Sequence, residues 1–128
     1  MTESEVQQQI QIAAVSFNCI LMRNNSGTLK REDGTPVRFG LGNISKNHSD
    51  AIKSSDLIGF KVVTVTPEMV GMKLAVFTAI EVKAYPWKPN ARDPRERAQL
   101  AFLDWIQNNG GYAGFADSVD GFRRAIGR

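Results

Sequence analysis

Cysteine and histidine are almost missing from this chain. Cys19 and His48 are the only ones among 128 residues. An intramolecular disulfide is therefore excluded, and a structural zinc site, which draws its ligands mainly from these two residue types, is unsupported. A lone thiol fits a reducing compartment. Inside an apolar run, Cys19 reads as a small buried hydrophobe rather than a nucleophile. Long hydrophobic runs are missing too: none approaches the ~20 residues of a bilayer span. The opening Met-Thr-Glu-Ser-Glu is polar and partly acidic, unlike a secretory leader. Repeats, linkers and low-complexity tracts are absent. These absences point to a cytoplasmic single domain over residues 1–128, large enough for a modest core. What is present agrees: 42% of the residues are hydrophobic, as in folded globular proteins. The net charge of +3 leans weakly toward a polyanionic partner.

The most informative stretch is Lys73–Lys83, Lys-Leu-Ala-Val-Phe-Thr-Ala-Ile-Glu-Val-Lys. β-Branched and aromatic residues dominate it and it holds no Gly or Pro, so it reads as a strand. Side chains alternate along a strand. Leu74, Val76, Thr78, Ile80 and Val82 share one face, and Ala75, Phe77, Ala79, Glu81 and Lys83 the other. Both faces are mostly apolar, as in a strand buried within a sheet. Yet one face ends in an acid and an amine, and burying those is costly unless each finds a partner.

Around this strand the chain divides readily. Residues 2–17 carry an apolar stripe of Val6, Ile10, Ala13, Ala14 and Phe17 at helical spacing, and Thr2-Glu-Ser-Glu5 fits a capping box. Phe17–Met22 reads as a first strand. Arg23–Gly27 and Asp33–Pro36 are turn signals, and Val37–Leu41 suggests the returning strand of a hairpin. Gly40–Asp50 reads as a polar loop. Leu57–Thr66 is rich in β-branched residues, and a short turn through Pro67 and Gly71 suggests that it pairs antiparallel with Lys73–Lys83. That pairing would bring Asp56 close to Glu81 and Lys83. After a proline-broken loop, Arg95–Asn108 reads as a helix with an inward stripe of Ala98, Ala101, Phe102, Trp105 and Ile106, and with Gln99 at the stripe's edge. Asn109-Gly-Gly111 stops it. Tyr112–Ala116 reads as a strand. Ser118 caps a closing helix to Ile126, with Arg123, Arg124 and Arg128 complementing the helix dipole.

Asp56, Glu81 and Lys83 form a chemical set. Two carboxylates supply hard oxygen ligands for Mg²⁺ or Mn²⁺ and leave positions open for water and phosphate, and the C=O of Val82 is a candidate third ligand. A metal so held acidifies water and stabilises charge on a phosphate. Lys83, two residues on, suits positioning that water or neutralising the transition state. Asp50 is the alternative to Asp56. Lys30, Arg31, Arg38, Lys46 and Lys53 gather in the loop-rich half before Asp56, where they suit contact with DNA phosphates.

In this order, Asp…Glu-x-Lys followed by a helical Gln resembles the PD-(D/E)XK nuclease superfamily. More narrowly, the chain is similar to the small stand-alone VRR-NUC nucleases of phages and bacteria. The resemblance covers nearly the whole chain through Glu5, Arg23-Asn-Asn-Ser-Gly27, Ser55-Asp56-Leu-Ile-Gly59, Ile80-Glu-Val-Lys83, Gln99 and the closing Ser118-Val-Asp. It departs at Ser55, where the superfamily pattern has Pro. It implies an α/β fold with a restriction-endonuclease-like mixed central β-sheet flanked by helices, in a bacterial or phage-infected cell. It also implies a Mg²⁺- or Mn²⁺-dependent DNA endonuclease. Glu5 would help hold metal, and Gln99 would orient water or phosphate near Lys83. No base-reading motif is visible, so backbone and shape, as in branched or Holliday-junction-like DNA, are the expected determinants. Compact nucleases of this type present two sites through a two-fold interface, which implies a homodimer. Phe60, Met69, Met72, Tyr85, Trp87 and Phe115 are candidate apolar surface for it.

Plainer readings exist for each residue. Glu81 and Lys83 could form an ion pair at a strand end. Glu5 is accounted for by its cap, Gln99 by a polar helix edge, and His48 by a solvated loop. The rival in function is a non-catalytic nucleic-acid-binding α/β module that keeps the fold. A metal-independent endonuclease with His48 as base is a third reading.

Overall fold

Thr2 opens helix α1 (Glu3–Ala14) with both halves of the capping box in place. The Thr2 hydroxyl accepts from the Glu5 amide at 3.2 Å, and Glu5 Oε2 accepts from the Thr2 amide at 2.7 Å. The helix ends before Phe17. A single 3₁₀ turn follows over Val15–Phe17, and Asn18, left-handed at φ 58°, turns the chain into β1 (Cys19–Arg23). The computed structural model describes residues 1–51 and 53–127, apart from the side chains of residues 48–50. Arg128 and the side chains of His48 and Asp50, all singled out above, lie outside the described residues.

The architecture is mixed α/β, with two compact units at Met1–Val63 and Thr64–Arg128. In the first, α1 packs on β1, and Gln11 Nε2 donates to the Leu21 carbonyl at 3.3 Å. The expected hairpin forms: β2 (Gly27–Lys30) pairs antiparallel with β3 (Pro36–Phe39), from Gly27 opposite Phe39 to Lys30 opposite Pro36. Its turn is held by Asp33 Oδ1, which accepts from the Thr35 hydroxyl at 2.6 Å and the Thr35 amide at 2.9 Å. Those bonds keep the Asp33 carboxyl below its usual range. Within the expected polar loop, Lys46–Ala51 is instead a short helix, α2.

The two long runs read as one hairpin are each shorter, and each finds a different partner. The strand expected over 57–66 is β4 (Leu57–Lys61), antiparallel to β1 from Arg23 opposite Leu57 to Cys19 opposite Lys61. It ends there because the turn at Asn18 ends β1; one last bond runs from the Val62 amide to the Asn18 carbonyl at 2.9 Å. Gly59 lies against β1 so closely that a Cβ would collide with the Ile20 carbonyl. Backbone cannot yield as a flexible side chain can, so Gly59→Ala should destabilise the first unit by about 1–3 kcal/mol, read from a urea denaturation midpoint.

In the second unit the strand expected over 73–83 is β5 (Thr78–Val82). It runs parallel to β6 (Tyr112–Ala116), with Thr78 opposite Tyr112 and Val82 opposite Ala116. Propensity favours a longer strand, but the ladder lasts only as long as β6. Helix α3 (Pro94–Asn108) makes the crossover that a parallel pair requires. Asp93 caps α3, accepting from the Arg95 amide at 2.9 Å, and Gly110 at φ 93° follows its end. The core of this unit is Leu103, Ile106, Ala113 and Ala116. Helix α4 (Val119–Ala125) starts at Ser118 as read, and packs on β6. Gly121 is buried there against Ala116.

Candidate active site

Glu81 and Lys83 meet the same side chain rather than each other. β5 alternates, so both point to one face at its C-terminal end, where both are half-buried. On α3, Leu103 and Ile106 are buried at 4% and 1% exposure, and Gln99 lies one turn before Leu103 on the same face. Packing that face on β5 and β6 carries Gln99 to the strand end. Its Nε2 donates to Glu81 Oε1 at 2.9 Å, and its Oε1 accepts from Lys83 Nζ at 2.7 Å. This is the one amide orientation that satisfies both neighbours. The ammonium also lies 5.4 Å from the centroid of Phe115, a cation–π distance.

The inward face of α3 thus differs from the stripe read from the sequence. Of Ala98, Ala101, Phe102, Trp105 and Ile106, only Ile106 is buried, and Leu103 joins it. The helix carries two apolar stripes side by side. The one that includes Gln99 is less hydrophobic, yet it faces the sheet.

Above the strand end, the 84–93 loop is tied down. Trp87 stacks on Phe115 at 4.8 Å between centroids, so these two members of the candidate apolar surface cover each other. The Trp87 amide donates to Asp117 Oδ2 at 3.0 Å, and the Asn90 amide to Glu96 Oε1 at 2.7 Å. The chain Phe115–Lys83–Gln99–Glu81 is therefore held from β6, β5 and α3 at once.

The remaining candidates belong to the first unit. Asp56 stands exposed in the bend before β4. Its carbonyl accepts from the Asn24 amide at 2.9 Å, while Asn24 Nδ2 donates to Ser54 Oγ at 2.9 Å and to the Ser55 carbonyl at 2.8 Å. Asn24 was legible only as part of a turn; its position directly after a strand, in Arg23-Asn-Asn-Ser, was the available hint. Here it latches the Asp56 segment to the end of β1. Asn24→Ala should cost about 0.5–1.5 kcal/mol, because water can reach the part-exposed groups it leaves, seen as a lower denaturation midpoint.

Glu5 is engaged by its cap, and the groove beside it is lined by Met1, Gln8, Gln9 and Ile12. Among the described residues, no three His, Cys, Asp or Glu side chains converge on one point. By donor type, the Glu81 carboxylate and the C=O of Val82 at the end of β5 suit a hard divalent cation, while Asp56 belongs to the first unit. Gln99 occupies one Glu81 oxygen through a single N–H and leaves the other for a ligand.

Of the basic residues, Arg38 on β3 and Lys53 after α2 line one cavity. Lys30 and Arg31 lie at the opposite, turn end of the hairpin, where the Arg31 amide donates to the Thr35 carbonyl at 2.8 Å. Lys46 begins α2. Among the described residues no helix is long and apolar enough to cross a membrane. Compared with protein-family models, curated proteins and solved structures, the chain matches none.

Proposed function

We propose that this chain is a Mg²⁺- or Mn²⁺-dependent DNA endonuclease of the PD-(D/E)XK type, with a restriction-endonuclease-like fold and VRR-NUC affinity. It selects branched DNA and works as a homodimer, because a branch presents paired strands for two cuts. The observation that carries the reading is the Gln99 bridge. A helix glutamine, placed by core packing, engages an acid and an amine two residues apart on a strand end. A simple ion pair would need no such intermediary. Helix α3 follows the Glu-Val-Lys strand and carries Gln99, the order on which the resemblance rests.

Bound metal would supply Lewis acidity toward water and phosphate. Glu81 and the Val82 carbonyl, at the end of β5, would hold it; Asp56 and Glu5, in the first unit, are the further oxygen ligands that the resemblance implies. Lys83 donates to the attacking water or to a phosphoryl oxygen as negative charge develops there. Gln99 fixes the ammonium on one side and the carboxylate on the other, so neither has to reorganise when substrate arrives. Phe115 lies at a cation–π distance from the Lys83 ammonium, and Trp87 stacks on that ring and fixes it.

A cleavage panel of single-stranded, duplex, flap and four-way-junction DNA with Mg²⁺ or Mn²⁺, run beside light scattering, tests this. Cleavage favouring junctions, by a particle of twice 14.1 kDa, is expected. Binding of all four without cleavage would favour the non-catalytic module instead.

A further inference from the structure

We propose that the cavity at the open end of the β2–β3 hairpin is a seat for a phosphodiester of the DNA backbone, next to the segment that carries Asp56. The cavity is about 310 Å³ and open to solvent, a shape that takes a phosphate with its sugar along a strand rather than enclosing a small ion. Arg38, Lys53, Ser26, Thr28, Asn43 and Ser54 supply its polar lining; among the described residues no carboxylate lines it, and Leu41 is the one large apolar side chain. No aromatic ring is among its described lining for a base to stack on. Two cations among hydroxyls instead match phosphate and sugar oxygens.

The seat is built before any ligand arrives. Asn43 Nδ2 donates to the carbonyls of Gly27 at 2.6 Å and Phe39 at 3.0 Å, bridging both hairpin strands. Its Oδ1 accepts from Arg38 Nη1 at 3.0 Å, which fixes the guanidinium and leaves its other N–H groups to donate. Thr28 lies directly across the ladder from Arg38. Gly40, at φ 92°, lets the turn after β3 rest on Ser26, where any Cβ would collide. Ser54 Oγ accepts from Asn24, so its own hydrogen remains to donate into the cavity. Two residues later comes Asp56. Resting on the nuclease reading, the seated phosphate belongs to the same DNA backbone that the protein cleaves.

Binding without cleavage tests the seat apart from the chemistry. Fluorescence anisotropy with a labelled four-way junction in EDTA, over a salt series, would compare wild type with Arg38→Gln, Lys53→Gln and the double variant. Lys73→Gln, in the second unit, serves as a control. Each seat variant should weaken binding severalfold at low salt and flatten the plot of log affinity against log salt by about one phosphate contact, a slope change of ~0.9. The double variant should flatten it by about twice that. Lys53 is exposed and outside regular structure, so Lys53→Gln carries the test if Arg38→Gln fails to fold. Unchanged slopes in folded variants would overturn the seat. Displacement of the junction by millimolar inorganic phosphate at matched ionic strength would mark a free-phosphate site and overturn it equally. Lost binding in the variants with no cleavage by wild type would leave the seat standing and the nuclease reading without support. Cleavage by wild type with binding unchanged in the variants would do the reverse.

Discussion

Replacing Lys83 with alanine should lower the cleavage rate about 10²–10³-fold while the protein stays folded. The magnitude is that of removing one preorganised donor aimed at developing charge. Folding should survive because the removed ammonium is only half-buried and its partner, Gln99, retains its bond to Glu81. Gln99→Ala should lose less, since it leaves both charged groups in place but unfixed. The variant carrying both changes should be little worse than Lys83→Ala alone, because groups that act as one unit are not additive. Single-turnover rates on a junction substrate, with melting curves as a folding control, check each point. If folded Lys83→Ala cleaved at the wild-type rate, the lysine would be a structural partner of Gln99 and nothing more.

The second large effect belongs to Glu81, where one substitution separates charge from geometry. Glu81→Gln keeps an oxygen that can accept from Gln99 Nε2, so the bridge at 2.9 Å can persist. It removes the negative charge that a divalent ion requires. Cleavage should fall at least about 10²-fold, and the Mn²⁺ concentration for half-maximal rate should rise. The melting temperature should stay near that of wild type. A network serving only stability would behave the opposite way, with a lower melting temperature and an unchanged metal requirement.

Both predictions rest on residues that were legible before the fold was known, though not for wholly correct reasons. Glu81 and Lys83 stood out because a polar pair closes an otherwise apolar face, and the strand alternation holds. Gln99 lies at the edge of a stripe of which only Ile106 is buried against the sheet. Periodicity alone cannot choose between adjacent apolar stripes; the choice is made by which one fits the strands beneath. Local chemistry served well where it acts locally. The Thr2 and Ser118 caps and the Gly110-Gly111 stop lie where local chemistry puts them, and the helix expected from Arg95 begins one residue earlier, at Pro94, with Asp93 as its cap. Strand lengths did not transfer. The runs at 57–66 and 73–83 are β-prone throughout, but a ladder needs a partner, and β1 and β6 supply five residues each. The pairing of these runs was likewise a matter of tertiary context, which two strands and a short turn do not determine. The basic cluster was visible as composition. That Arg38 and Lys53 share one cavity while Lys30 and Arg31 sit at the hairpin's far end follows only from the register of β2 on β3.

The most direct test of metal-dependent cleavage is a single time course. Wild-type protein stripped with EDTA is mixed with a labelled four-way junction, and excess Mn²⁺ is added midway, with Glu81→Ala run in parallel. The junction should stay intact until the metal is added and then be cut by wild type only. Cutting that proceeds in EDTA, or that Glu81→Ala performs as fast as wild type, would contradict a metal nuclease centred on Glu81 and Lys83.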